Sequence, residues 1–204
     1  MMRWTQAALF TLLAGAAPLA AQQPMAGMAG MSGMSGTTDT AQIAATKAAL
    51  AKYQDPFQAV RDGYFSTVAC MDFPRGGEGH DMHYHAGAMG VHFLNTSLIG
   101  PTLDPLKPQV LIYEPVGNTL KLVGAEWFVP AQLSATAPTL FGRTLDGPME
   151  GHAPIMPPEL HHWDLHVWLW KNNPAGMFSS TNPAVHCPAG PLTSRGDAPH
   201  MVNQ

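Results

Sequence analysis

Four short apolar runs, each bounded by Pro, Gly or Asn, constrain this chain more than any other feature. They are VHFLN (Val91–Asn95), QVLIYE (Gln109–Glu114), LKLVGAEWFVP (Leu120–Pro130) and HHWDLHVWLW (His161–Trp170). Rich in Val, Ile, Phe and Trp and closed off by breakers, they read as strands. The second and third are joined by PVGN, Pro115 to Asn118, which suits a hairpin turn. Upstream, AQIAATKAALAKY (Ala41–Tyr53) consists of helix formers, with a stripe at Ile43, Ala44, Lys47, Leu50 and Ala51. Asp55 and Pro56 form an N-cap and first-turn pair for a second helix running to about Asp62. The expected fold class is therefore α+β: an antiparallel sheet or small barrel with helices on its N-terminal side. A Pro-rich excursion between Ala131 and Pro158 is long enough to suggest a functional loop.

Period two sorts the polar residues on these strands. In HHWDLHVWLW, His162, Asp164, His166 and Trp168 share one face, and Trp163, Leu165, Val167 and Leu169 the other. Glu126 lies in a run that is apolar on both faces, so it should be buried, and a buried carboxylate must be paired, protonated or metal-bound. Salt-bridge partners are scarce, because the only arginines beyond the N-terminal leader are Arg61, Arg75, Arg143 and Arg195. His92 is likewise the one polar group inside GVHFL. Three strands thus each turn a donor inward: His92, Glu126, and His162 with His166. Histidines plus one carboxylate from neighbouring strands form the ligand set of a mononuclear zinc, copper(II), manganese or iron site. The H-x-x-x-H spacing separates His162 and His166 by ~13 Å on an extended strand. Both cannot bind one ion unless the strand bends, which ranks His166 above His162 as a ligand. The competing reading is of core histidines hydrogen-bonded to Asp164, Glu114 or backbone. If chemistry occurs, Glu114 and Asp164 are the candidate catalytic groups, moving protons or orienting a ligand.

Other donors lie outside this framework. His80, His83 and His85 fall in a Gly-rich stretch, read as a mobile loop that collects copper or zinc or is simply polar. The H-x-H of His83 and His85 looks like half of a cupin motif, but AGAMG follows where that motif needs a glutamate. Met25, Met28, Met31 and Met34 recur every third residue among Gly, Ala and Ser, so residues 22–40 read as a flexible tail. Thioethers favour Cu(I), which makes the tail either a capture strand or a plain linker. Residues 1–21 carry one arginine, a short apolar core and small residues at Ala20 and Ala21, the pattern of a signal peptide. No later segment is long enough for stable membrane insertion. A secreted or periplasmic destination makes a Cys70–Cys187 disulfide the expected state of the two cysteines. Residues 41–204 are expected to form a single domain. With 12% charged residues and a net charge of -4, the chain has no basic face to hold nucleic acid.

The blocks GAMGVHFLN, VLIYEP, LVGAEWFVP and HHWDLHVWLWKNNPAGMFSSTNPAVHCP resemble a family of exported, uncharacterised bacterial proteins. Its members share MGxH, YEP, VE(aromatic)xVP and LHVWxWxxNPxGxF patterns. The resemblance spans about Ala41 to Pro188 and implies that His92, Glu114, Glu126 and His166 are family features, without implying an activity. Three function classes follow from the residues. The first is an exported metal-binding protein holding one transition-metal ion, copper favoured and zinc the alternative. The second is a metal-dependent oxidoreductase or hydrolase using His92, Glu126 and His166. The third is a small-ligand binder with a pocket lined by Trp127, Trp163, Trp168 and Trp170.

Overall fold

The computed structural model describes residues 38–79, 82–152, 156–196 and 199–202, with backbone alone for 78, 79, 82 and 83. The expected leader, Met25, Met28, Met31, Met34 and His80 lie outside these residues, as does the side chain of His83.

Helix α1 (Thr40–Leu50) begins where the Asp39 carboxylate accepts the Gln42 N–H at 2.9 Å, and it tightens into a 3-10 turn at Ala51–Gln54. Helix α2 (Pro56–Arg61) begins with the Asp55 carboxylate accepting the Phe57 N–H and with Pro56 in the first turn. The Asp-Pro pair is thus read correctly: the cap satisfies an orphan donor, and proline has no N–H to lose there.

Eleven strands follow among the described residues: β1 (Phe65–Phe73), β2 (Gly77–Gly79), β3 (Met82–Tyr84), β4 (Gly87–Leu94), β5 (Val110–Val116), β6 (Thr119–Pro130), β7 (Thr139–Leu140), β8 (Arg143–Thr144), β9 (Asp146–Met149), β10 (His162–Val167) and β11 (Thr193–Arg195). Seven form one sheet in the order β11-β1-β4-β5-β6-β10-β9. Every pairing in it is antiparallel except β1 with β11. The sheet curls into a half-barrel with the helices on its N-terminal side. The β5–β6 hairpin turns at Gly117, whose φ of +59° a glycine adopts without a Cβ penalty. Cys70 of β1 is bonded to Cys187, with the Cα atoms 5.6 Å apart. Closing so long a loop contributes roughly 4 to 5 kcal/mol on the chain-entropy model. No helix among the described residues is long and apolar enough to cross a membrane.

The two faces of the sheet carry separate clusters. On one, Ile43, Leu50, Tyr53 and Ala59 of the helical segment pack on Leu111, Tyr113, Ala125, Trp127, Val129, Leu165 and Val167. On the other, Val110, Ile112, Phe128 and Trp168 are joined by Val185 from the C-terminal segment. The period-two sorting of β10 is correct, since Trp163, Leu165, Val167 and Leu169 lie in the first cluster and Trp168 in the second.

Three details depart from expectation. Strand β1 precedes the expected strand region, and its pattern is hidden because its register against β4 shifts between Ser66 and Cys70, leaving Phe65 and Val68 exposed. Strand β10 ends at Val167 rather than Trp170. The stretch around His80 to His85, read as a mobile loop, contains the β2–β3 hairpin, with Glu78 opposite His83. Glycine-rich sequence offers no side-chain period to read, whereas backbone pairing needs none.

Candidate metal centre

The site lies on the sheet face opposite the helices and is assembled from three strands. His92 occupies the middle of β4, opposite Ile112 of β5. Glu126 of β6 stands opposite both Val110 of β5 and His166 of β10. Strand alternation turns all three side chains to one face, and the cross-strand register sets His166 beside Glu126. The sheet is irregular around them. Beside His92, β1 runs through its register shift, and the Thr67 hydroxyl donates to the His92 carbonyl at 3.1 Å. Another shift separates His162 from Asp164 against β9. Such bulges re-aim side chains and are common beside functional sites.

One carboxylate oxygen, Glu126 Oε2, lies 3.5 Å from His92 Nε2 and 3.6 Å from His166 Nε2. These spacings exceed the usual N–H···O hydrogen bond. They match the separation of two ligands on one ion: bonds of ~2.1 Å at a tetrahedral angle place donor atoms about 3.4 Å apart. All three residues are buried, and donor atoms from the three lie within 4.8 Å of one another.

A second group with the same donor types adjoins the first. His152, His162 and Asp164, all buried, also offer donor atoms within 4.8 Å of one another. His162 Nε2 lies 3.9 Å from Asp164 Oδ2, and that oxygen lies 3.6 Å from His166 Nδ1. Asp164 therefore stands between the two groups. The His152 and His162 rings are 5.4 Å apart, and Phe128 meets His162 edge-on at 6.1 Å.

The electrostatics keep this row neutral in the absence of a cation. Burial lowers His92 and His162 to about 4 and His152 to about 3, and holds His166 well below the usual imidazole range. Burial raises Glu126 to about 8 and pushes Asp164 well up, with Glu126 and Asp146 adding like-charge repulsion at Asp164. Near neutral pH the imidazoles thus keep the free lone pairs that ligation requires. Among the described residues no Lys or Arg forms an ion pair with Glu126 or Asp164. Among the described residues, six buried side-chain atoms have no hydrogen-bond partner: His92 Nδ1, His162 Nε2, both Asp164 oxygens, and both His166 nitrogens. Each such atom costs about 1–3 kcal/mol if nothing satisfies it. The donors fit a transition-metal ion in number, type and spacing.

A cavity of about 30 Å³ touches this row, lined by Thr67, Met89, His92, Glu126, His152 and Met156 among others. That is room for one or two waters or a comparably small ligand.

The sequence assignments divide accordingly. His92, Glu126 and His166 come together as expected, and His162 falls into a different group from His166, as the strand spacing requires. Asp164, a candidate to move protons or orient a ligand, stands between the two groups. Glu114, the other candidate, belongs to neither group: its carboxylate pairs with Lys171 Nζ at 2.8 and 3.0 Å and accepts the His186 N–H. His85 is exposed and outside both groups. The four tryptophans do not line one pocket. Trp127 and Trp163 face the helices and Trp168 the opposite side, with indole N–H groups donating to the Asp104, Ser134 and Ser179 carbonyls respectively. Sequence reading missed His152, whose only mark is being the one histidine of the Pro-rich excursion.

No family model, no curated protein and no solved structure matches this chain. The reading of the centre therefore rests on its own chemistry.

Proposed function

We propose that this chain is an exported metal-binding protein whose His92, Glu126 and His166 hold one transition-metal ion, copper in preference to zinc. The observation that carries the reading is one carboxylate oxygen, Glu126 Oε2, at 3.5 Å from His92 Nε2 and 3.6 Å from His166 Nε2, with all three residues buried and no Lys or Arg paired to the carboxylate among the described residues. Imidazole with carboxylate suits Cu(II) and Zn(II), and Cu(II) binds such donors more tightly. The leader-like N-terminus and the disulfide support export. The Met-rich tail and the histidines at 80, 83 and 85 would gather ions for the buried site.

A second reading, a metal-dependent enzyme, is favoured by the cavity that touches His92 and Glu126. Three protein ligands leave an ion an open position for water or substrate. Azide added to the Cu(II)-loaded protein separates the two. A shifted ligand-field spectrum shows an open position, and an unchanged one shows a closed storage site.

Thermal unfolding of the parent and His166→Ala, with and without a strong chelator, tests the metal site itself. An ion present at 1,000 times its Kd stabilises by about 4 kcal/mol. Chelation should then lower the parent Tm by roughly 10 °C, at 2–4 °C per kcal/mol for a domain of this size. His166→Ala should start without that ion and lose the part of the response that it supplies. A parent isolated without metal and indifferent to Cu(II), Zn(II) and chelator would end this reading.

A further inference from the structure

We infer that the centre takes two ions rather than one, the second held by His152, His162 and Asp164 and coupled to the first through Asp164 and His166. The inference rests on the metal-binding reading above and extends it.

His162 supplies the strongest observation. Its Nδ1 lies 3.2 Å from the Leu160 carbonyl oxygen, which can only accept, and this contact favours the tautomer protonated at Nδ1. That tautomer puts the lone pair on Nε2, which is buried without a hydrogen-bond partner 3.9 Å from Asp164 Oδ2. A ring nitrogen bonded to a backbone carbonyl while the other faces carboxylate and imidazole donors is the usual arrangement of a metal-ligating histidine.

Counting atoms separates one ion from two. An ion on His92, Glu126 and His166 Nε2 leaves His166 Nδ1 protonated and directed at Asp164 Oδ2, 3.6 Å away. Of the six unpartnered atoms, that ion satisfies His166 Nε2. It leaves both Asp164 oxygens and His162 Nε2 buried with no hydrogen-bond partner, and His152 adjacent with its ring 5.4 Å from that of His162. A second ion satisfies these remaining donors together, again with two imidazoles and one carboxylate.

Access also differs between the positions. His152 lines the small cavity that reaches His92 and Glu126, and it lines a larger cleft of about 330 Å³ bounded by Glu150, Arg195 and His200. His152 is therefore the donor that faces both openings, while His162 and Asp164 behind it are fully buried. Because Asp164 touches both His162 and His166, filling one position alters the partner of a ligand of the other. By linkage, that coupling is reciprocal.

Co(II) is the probe, applied to the full chain and followed by gel filtration and elemental analysis. The parent should retain two Co(II) per chain, and His162→Gln and His92→Gln one each. His152→Ala, placed in a loop rather than the sheet, should weaken the second ion about 100-fold or more while retaining the first. The doubly loaded Cu(II) protein should show dipolar broadening in its EPR spectrum that both single-ion variants lack. One Co(II) in the parent, unchanged in His162→Gln, overturns the second position and leaves the first standing. Two ions without broadening place the second elsewhere and also overturn it. A parent that retains no ion refutes the metal-binding reading as a whole. If His162→Gln fails to fold, the parent count and His152→Ala decide.

Discussion

The two faces of one sheet satisfy their buried polar groups in opposite ways. On the helix side, every aromatic polar tip named here finds a carbonyl: Tyr64 donates to Pro108, Tyr113 to Tyr53, Trp127 to Asp104 and Trp163 to Ser134, at 2.7 to 3.1 Å. On the other side, side chains just as deeply buried present six atoms with no protein partner. Two glutamates on adjacent strands sharpen the contrast. Glu114 and Glu126 are each 5% exposed, yet Glu114 has Lys171 and a backbone N–H, and Glu126 has only imidazoles. A chain that pairs its polar groups so thoroughly on one face leaves them open on the other where something besides protein completes them.

That contrast can be broken most forcefully from the helix side. Trp127→Ala removes the largest fully buried side chain, directly behind Glu126 on β6, and should cost about 3–5 kcal/mol in chemical denaturation. Ion content measured under native conditions should not change. Loss of the ion with the fold still intact would show that the faces are not independent.

pH provides the next largest effect. Glu126 is raised on folding, so its contribution to the metal-free protein is present below its ordinary value and lost as pH rises through about 8. His92 and His162 are depressed, so theirs is present above about 6.5 and lost as pH falls towards about 4. Between pH 6.5 and 8 only the carboxyl slope acts, and chelator-treated protein should become less stable across that window. The metal-loaded protein should stay level in the same window, because the ion displaces the Glu126 proton and binds about tenfold tighter per pH unit below that group's pKa, which offsets the loss. Between pH 6.5 and 8 the denaturation curve should therefore shift with chelator and stay in place without it. Parallel shifts would mean that Glu126 is not a ligand.

The smallest effect concerns the paired glutamate. Lys171→Met strands Glu114, but Lys171 is about a third exposed and water can reach the pair, so the loss should be about 1–2 kcal/mol. Retained metal stoichiometry in this variant is expected. A lost ion would tie Glu114 to the centre after all.

The sheet strands that carry His92, Glu126 and His166 were legible because alternation is local: a residue's face follows from its neighbours two positions away. The same rule, with the rise per residue, correctly separated His162 from His166. Strand β1 was not legible, because its irregular register interrupts the alternation on which recognition depends. The role of Glu114 was not legible either, because its partner Lys171 lies fifty-seven residues away and no local pattern announces the pairing.

By itself, then, the sequence determined the α+β class, the capped helices, the expected pairing of two cysteines and the donors that single strands turn inward, because helical and strand periods and capping chemistry act over a few residues. Only the tertiary structure decided which donors meet. His152 reaches His162 from an excursion with no period of its own, and Asp164 becomes the link between two groups through the registers that β10 keeps with β6 and β9. Those meetings depend on the curl and register of the whole sheet, which long-range packing sets and no short window of residues encodes.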